Sequence, residues 1–118
     1  MAWAFYQDPK AQLWVGTQGG GLNKWTPQDF SALNNKFTHY DSFSGLPSSH
    51  IYAILDDDQG HLWLSSTAGL TRLDPDTGKV RHFDTSQGLK NSEFNFGAGF
   101  KDSKGFMYFG GNTGVVRF

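Results

Sequence analysis

One pattern occurs three times along this chain, and it limits the fold more than any other feature. Asp8 to Trp25 reads DPKAQLWVGTQGGGLNKW, Asp57 to Leu73 reads DDQGHLWLSSTAGLTRL, and Asp102 to Phe118 reads DSKGFMYFGGNTGVVRF. Each starts with an Asp and a turn. Each continues with an apolar–aromatic–apolar run, a glycine-containing link and a second short run. Trp14, Trp63 and Tyr108 hold the same place, at steps of 49 and 45 residues. A second pair keeps the same register. Lys36 to Leu46 (KFTHYDSFSGL) matches Lys79 to Leu89 (KVRHFDTSQGL) at Lys, His, Asp, Gly and Leu. A unit of this length, repeated in tandem, builds a stack or a ring of similar modules.

The complete middle unit predicts four strands. Ile51 to Leu55 is a short apolar run of the kind buried on both faces. Gly60 follows in a turn where it can take positive φ and close a hairpin. His61 to Ser65, Gly69 to Asp74 and Lys79 to Phe83 are the next three strands. The turn before the last of these holds Pro75 and Gly78. Polarity rises from the first strand to the fourth, which predicts a packed inner strand and a solvated outer one. No long amphipathic-helix pattern appears. Four strands per unit of about 45 residues select a β-propeller over a sandwich. The expected fold is all-β: a propeller fragment of about three four-stranded antiparallel blades, the third lacking its outer strand. The blade-like units span about 2–46, 47–89 and 90–118. Inner strands are expected at Ala2 to Tyr6 and near Phe94 to Phe100, with later strands of the third unit at Phe106 to Phe109 and Val115 to Phe118. Closed propellers need about 4–8 blades, so the chain is expected to belong to a longer protein.

Composition excludes several function classes. Aromatics make up 16 % of the 118 residues, enough bulk for a core. Net charge is −1 with no basic run, so the footprint of a nucleic-acid binder is missing. With no cysteine there is neither a disulfide framework nor a cysteine zinc site. No segment approaches the ~18 apolar residues of a membrane span, so no direct membrane contact is expected.

The runs LWVGTQGGGLNKW, DDDQGHLWLSSTAGLTRLD and FDTSQGLKNSEFNFGAGFKDSKGFMYFGGNTGVVRF resemble the two-component regulator propeller repeats. That repeat reads roughly D-x-x-G-x-L-W-[IVL]-G-T-x-x-G-L-x-R-[FL]-[DN]. The last run resembles the closing repeat, where GL-x-x-x-E-[FY]-N and FGG-x-x-G-x-x-x-F are usual. This chain departs from the pattern at Ser65, where the G-T glycine is expected, and at Ala11, where the other units have Gly60 and Gly105. The resemblance implies a periplasmic sensor region of a membrane-anchored hybrid histidine kinase or diguanylate cyclase. The ligand it implies is a small molecule, often an oligosaccharide. A non-catalytic, cofactor-free segment of a sensory propeller in two-component or cyclic-dinucleotide signalling is therefore expected. A streptogramin-lyase-like propeller enzyme and a protein-interaction scaffold are the alternatives.

Candidate residues follow from what the repeat does and does not reproduce. Trp14, Trp63 and Tyr108 could stack on sugars, but their repetition favours packing between blades, where an aromatic buries ~150–250 Å². His39 and His82 are repeat-equivalent and read as structural. Asp56, Asp58 and Gly60 resemble the start of a calcium loop, yet Thr67 stands where the closing carboxylate belongs; Asp as a turn former is the better reading. Gly19 to Gly21 lacks the Lys-Ser/Thr of a phosphate loop. No catalytic or metal-ligating set is assigned, although His50 and Glu93 are the non-repeated pair that could start an enzyme site. Ligand-contacting residues are expected in the links between blades, which crowd one face of the ring: His50, Asn91, Glu93 and Asn95, with Gln18 and Asn112 from neighbouring loops. The open face of the first unit and the bare edge of the last predict a homo-oligomer through the open blade faces, with a head-to-tail dimer completing a ring as the leading geometry.

Overall fold

The computed structural model describes residues 2–25, 38–41, 45–48, 50–83, 94–111 and 114–117. Their strands form three antiparallel sheets in sequence order. Blade one is β1 (Ala2–Gln7), β2 (Leu13–Thr17), β3 (Leu22–Trp25) and β4 (Thr38–Tyr40). Blade two is β5 (Ile51–Asp56), β6 (Leu62–Ser66), β7 (Gly69–Leu73) and β8 (Val80–Phe83). Blade three holds β9 (Phe94–Lys101), β10 (Met107–Gly111) and β11 (Gly114–Arg117). Each strand pairs with its sequence neighbour, the up-and-down arrangement of a propeller blade. The all-β propeller expectation holds, and strand limits differ from the expected ones by one or two residues.

The recurring Asp explains the repeat. In the first turn of blade two, Asp57 Oδ1 accepts the backbone N–H of Gln59 and His61, both at 2.9 Å, and Oδ2 accepts the Trp63 indole N–H at 2.9 Å. Blade one repeats this with Asp8, accepting Lys10 N, Gln12 N and Trp14 Nε1. Blade three repeats it with Asp102, accepting Lys104 N, Phe106 N and the Tyr108 hydroxyl. One carboxylate thus shapes the hairpin and satisfies the polar atom of an aromatic six residues later, an atom that is costly to bury alone. Burial works to raise the Asp57 carboxyl, but the Trp63 indole and the His61 and Gln59 amides outweigh it and hold it below its ordinary value.

Turn glycines carry the other local constraint. Gly60 and Gly105 sit at φ 86° and 90°, and Ala11, in the same turn of blade one, is forced to φ 63°. A non-glycine residue rarely adopts this conformation.

Cross-strand partners share a sheet face, so the register divides each blade into a front and a rear. Tyr6, Trp14, Leu22 and Tyr40 form the front of blade one and pack on the rear of blade two, Ile54, Leu62, Leu64 and Leu73. The front of blade two, Ala53, Trp63, Leu70 and Phe83, packs on Met107 and Phe109 at the rear of blade three. Trp14 and Trp63 are 0 % and 8 % exposed, so both are packing residues and neither is a sugar platform. Near the inner edge the blades almost touch. A Cβ on Gly16 would come 2.7 Å from Ile51 Cγ2, and one on Gly99 2.8 Å from Ala53 Cβ. Ser65, at the register position of Gly16, is fully buried, and its Oγ has no hydrogen-bond partner among the described residues.

The expected fall of burial from the first strand to the fourth needs correction. In blade two the second strand, β6, is buried at every residue, while β5 leaves Tyr52, Leu55 and Asp56 half-buried. The inner strand has one free edge, whereas β6 has a strand on each side and a blade on each face. The outer strand β8 is the most exposed of the four, as expected.

Candidate functional site

The link entering blade two is anchored before it reaches the ring face. Leu46 is 3 % exposed, sits in the first inter-blade core, and donates its N–H to the Asp41 carbonyl at 3.1 Å. Ser48 Oγ then accepts the His50 N–H and meets Thr67 Oγ1, both at 3.1 Å. His50 forms an isolated antiparallel bridge with Gln18 in the β2–β3 turn. A Cβ on Gly19 would lie 3.7 Å from the His50 imidazole. Two β-turns from neighbouring blades and the link between them therefore converge at one end of the blades.

Two of the six expected ligand residues are thus brought together: Gln18, exposed, and His50, half-buried. Asn95 is exposed at the start of β9, at the same end of its blade. Asn91, Glu93 and Asn112 lie outside the described residues. His39 and His82 have structural partners on the third strands. His39 Nδ1 lies 2.6 Å from Asn23 Oδ1, and His82 Nδ1 lies 3.4 Å from Thr71 Oγ1.

The opposite end of the blades carries a feature that the sequence reading missed. A cleft of about 390 Å³ opens between blades one and two, lined among others by Tyr6, Gln12, Asp56, Asp58, His61 and Pro75. Lys10 and Asp76 pair across its rim at 3.3 Å, both exposed. At its inner end Asp56 joins all three blades. It accepts the Tyr6 hydroxyl from blade one, and Lys101 Nζ of blade three stands 3.4 Å from it and 3.0 Å from Asp58. Burial, then the charge and hydrogen bond of Asp56, then the charge of Asp8 push the Tyr6 phenol up to about 12, so it stays a donor at neutral pH. The hydrogen bond to Asp58 leads the causes that raise Lys101, against the opposing effect of burial. Gln7, Asp56 and Lys101 occupy one register position in the three blades. That mismatch of residue types within an otherwise repeating sequence was the available signal. Asp56 and Asp58 face the lysine, and Asp57 is the residue that shapes the turn. Among the described residues no three or more His, Asp or Glu side chains are gathered as metal ligands would be.

The sequence model of the family described as two component regulator propeller matches residues 45–68, which span the Gly45–Leu46 link and the first two strands of blade two. The chain is 32 % identical over 75 residues, 64 % of its length, to histidine kinase P4 of Formosa agariphila, and spans 6 % of that protein. All of the chain superposes on a protein described as the extracellular domain of a hybrid two-component system, BT3049 of B. thetaiotaomicron. The TM-score is 0.86, the identity 30 %, and 15 % of that chain is covered. A more distant likeness, 13 % identical with a TM-score of 0.62 over 99 % of this chain and 40 % of the other, is to virginiamycin B lyase of Staphylococcus aureus, and it shows the fold alone. The repeats, their Asp–aromatic turns and these relatives agree: the chain is a β-propeller segment, similar to the extracellular domain of a hybrid two-component system, and its residues 45–68 match the two component regulator propeller family.

Proposed function

We propose that this chain is a non-catalytic part of an extracytoplasmic sensory propeller, in a membrane-anchored two-component or cyclic-dinucleotide signalling protein, and that it contributes to binding a small polar ligand such as an oligosaccharide. The observation that carries this reading is the likeness to the extracellular domain of a hybrid two-component system over the whole chain. The ligand contacts are assigned to the end of the blades where Gln18 bridges to His50 and Asn95 is exposed. Amide and imidazole groups supply the mixture of donors and acceptors that sugar hydroxyls need. None of these three residue types recurs at the equivalent places in the other described repeats, as suits a site specific to one sector of a ring.

The test is calorimetric titration of the chain with a panel of oligosaccharides. The expected result is saturable binding without turnover. Gln18→Ala and His50→Ala should each weaken it about tenfold, near the ~1.4 kcal/mol of one lost hydrogen bond. Lys10→Ala and Gln12→Ala, in the cleft at the other end, should leave it unchanged. Loss of binding in the cleft variants alone would move the site to that end. Turnover of a streptogramin would overturn the non-catalytic reading.

A further inference from the structure

The inner strands of all three blades break their regular pairing at the same end. In β5, Ile51 pairs with Ser66 and Ala53 with Ser65, so Tyr52 is an extra residue with no partner position on β6. In β1, Ala2 pairs with Thr17 and Ala4 with Gly16, which makes Trp3 the extra residue. In β9 the break is wider. Phe94 pairs with Gly111 and Gly99 with Phe109, so residues 95–98 stand opposite Gly110 alone. Each break lies near the start of its strand, the end of the blades where Gln18 meets His50. The β5 bulge also reverses the side-chain alternation. Regular pleating would put Ile51 and Ala53 on one face. Instead Ile51 joins the core between blades one and two, Ala53 joins the core between blades two and three, and Tyr52 packs against that second core. Bulges re-aim side chains in this way next to binding sites.

We propose that Tyr52 is the stacking platform of the ligand site, and that the ligand it takes is a pyranose with equatorial hydroxyls, whose ring carbons present a flat C–H face. The proposal rests on the ligand reading above and adds an aromatic wall to that site. Tyr52 is half-buried, whereas the repeated Trp14 and Trp63 are buried. Contact with the core holds the Tyr52 side chain before a ligand arrives, so little further ordering is needed on binding. Its exposed part is left for the ligand. One residue further along β5 the blades close, because a Cβ on Gly99 would come 2.8 Å from Ala53 Cβ. That contact forms a floor, and a ligand entering between blades two and three stops at the level of Tyr52. The polar groups flank it on both sides. Gln18 and His50 lie toward blade one, and the exposed Asn95 lies in the β9 bulge of blade three. An aromatic face flanked by amides and an imidazole matches a pyranose, which is apolar on its faces and polar at its rim.

Calorimetric titration of the 118-residue chain with cellohexaose, an all-equatorial pyranose oligomer, and with a fructofuranose oligomer of the same length tests it. Saturable binding of cellohexaose is expected, and much weaker binding of the furanose oligomer. Tyr52→Leu keeps an apolar side chain for the core and should weaken cellohexaose binding about tenfold, the scale of one aromatic contact. Tyr52→Phe restores the ring and should recover most of that loss. Proton NMR of the wild-type complex reads the stacking directly, even where Tyr52→Leu fails to fold: the ring current should shift the C–H protons of the bound sugar upfield. Absence of those shifts would overturn the platform. So would Tyr52→Leu binding as wild type does while Gln18→Ala and His50→Ala bind weakly, and the ligand reading would then stand without it. Binding of the furanose oligomer alone would overturn the pyranose class. Binding of neither probe would overturn the proposal, whereas the ligand reading falls only if the wider oligosaccharide panel also fails to bind.

Discussion

Asp57→Asn tests the central claim about the repeat, that one carboxylate both shapes a turn and satisfies a buried indole. Asparagine keeps the Oδ1 that accepts the Gln59 and His61 amides, but presents an NH₂ group where Oδ2 accepts Trp63 Nε1 at 2.9 Å. A hydrogen bond to a charged acceptor is worth roughly 1.5–3 kcal/mol, and a buried donor left unpaired costs about 1–3 kcal/mol. These terms overlap, so the expected loss is ~2–4 kcal/mol. Trp63→Phe removes the donor and loses stability through packing, since Trp63 is 8 % exposed and stacks on Phe83 at 5.4 Å. Once the indole is gone, Asp57→Asn should cost less, with a coupling of at least about 1 kcal/mol in the double-mutant cycle. Urea unfolding followed by circular dichroism, at one protein concentration, measures all four corners. The cycle built on Asp8 and Trp14 should agree in sign, because the same three bonds recur there. A loss below about 0.5 kcal/mol, or strict additivity, would refute the reasoning, since either would show that the indole N–H does not depend on the carboxylate.

Three further outcomes follow from single sites. Ala11→Gly should raise stability by about 0.5–1 kcal/mol in urea unfolding, because relief of the strain at φ 63° exceeds the added freedom of glycine in the unfolded chain. Ser65→Ala should stabilise by roughly 1 kcal/mol, since it removes a fully buried hydroxyl that has no partner among the described residues; a loss of stability would show that Oγ is satisfied. Asp57, Asp74 and Asp102 are all held below the ordinary carboxyl value. The unfolded chain therefore takes up protons first as pH falls, so their contribution is full above about pH 5 and is lost progressively below about pH 4. A urea midpoint unchanged between pH 7 and pH 3 would contradict this.

The fold was legible because propeller blades are local objects. Each blade is a meander of consecutive strands, so the offsets between Asp8 and Trp14, Asp57 and Trp63, and Asp102 and Tyr108 survive unchanged from sequence to structure. The pairing of Gln18 with His50 was within reach as well: the β2–β3 turn of blade one and the link into blade two lie at the same end of adjacent blades. The cleft was not legible. Its walls come from turns of different blades, and Tyr6, Asp56 and Lys101 meet only because the ring sets neighbouring inner strands side by side. The burial gradient misled because hydrophobic content does not count neighbours. IYAIL of β5 is more apolar than LWLSS of β6, but β5 has a free edge.

The Asp56 cluster shows what a repeat chain gains from breaking its own pattern. With near-identical front and rear faces, blades could dock in the wrong order at little cost in apolar burial. Surface ion pairs such as Lys101–Asp58, with side-chain exposures of 24 % and 75 %, add little stability, ~0–1 kcal/mol. Their effect on wrong pairings is larger. If the rear of blade three met the front of blade one, Lys101 would take the place of Asp56 beside Tyr6 and lose both of its carboxylates. Asp56 would in turn lose its lysine. Each half-buried charge would then stand without its partner, and such losses cost more than the intact pair contributes. The charges that differ between blades therefore discriminate neighbour order, while the shared Asp–aromatic turns supply the common fold. Lys101→Met combined with Asp56→Asn removes the half-buried pair without stranding either charge, and so separates the two effects. Stability should change by less than about 1 kcal/mol, while refolding from urea should yield a larger fraction of misassembled chains on size exclusion. A large stability loss with clean refolding would show that the cluster holds the blades together without ordering them.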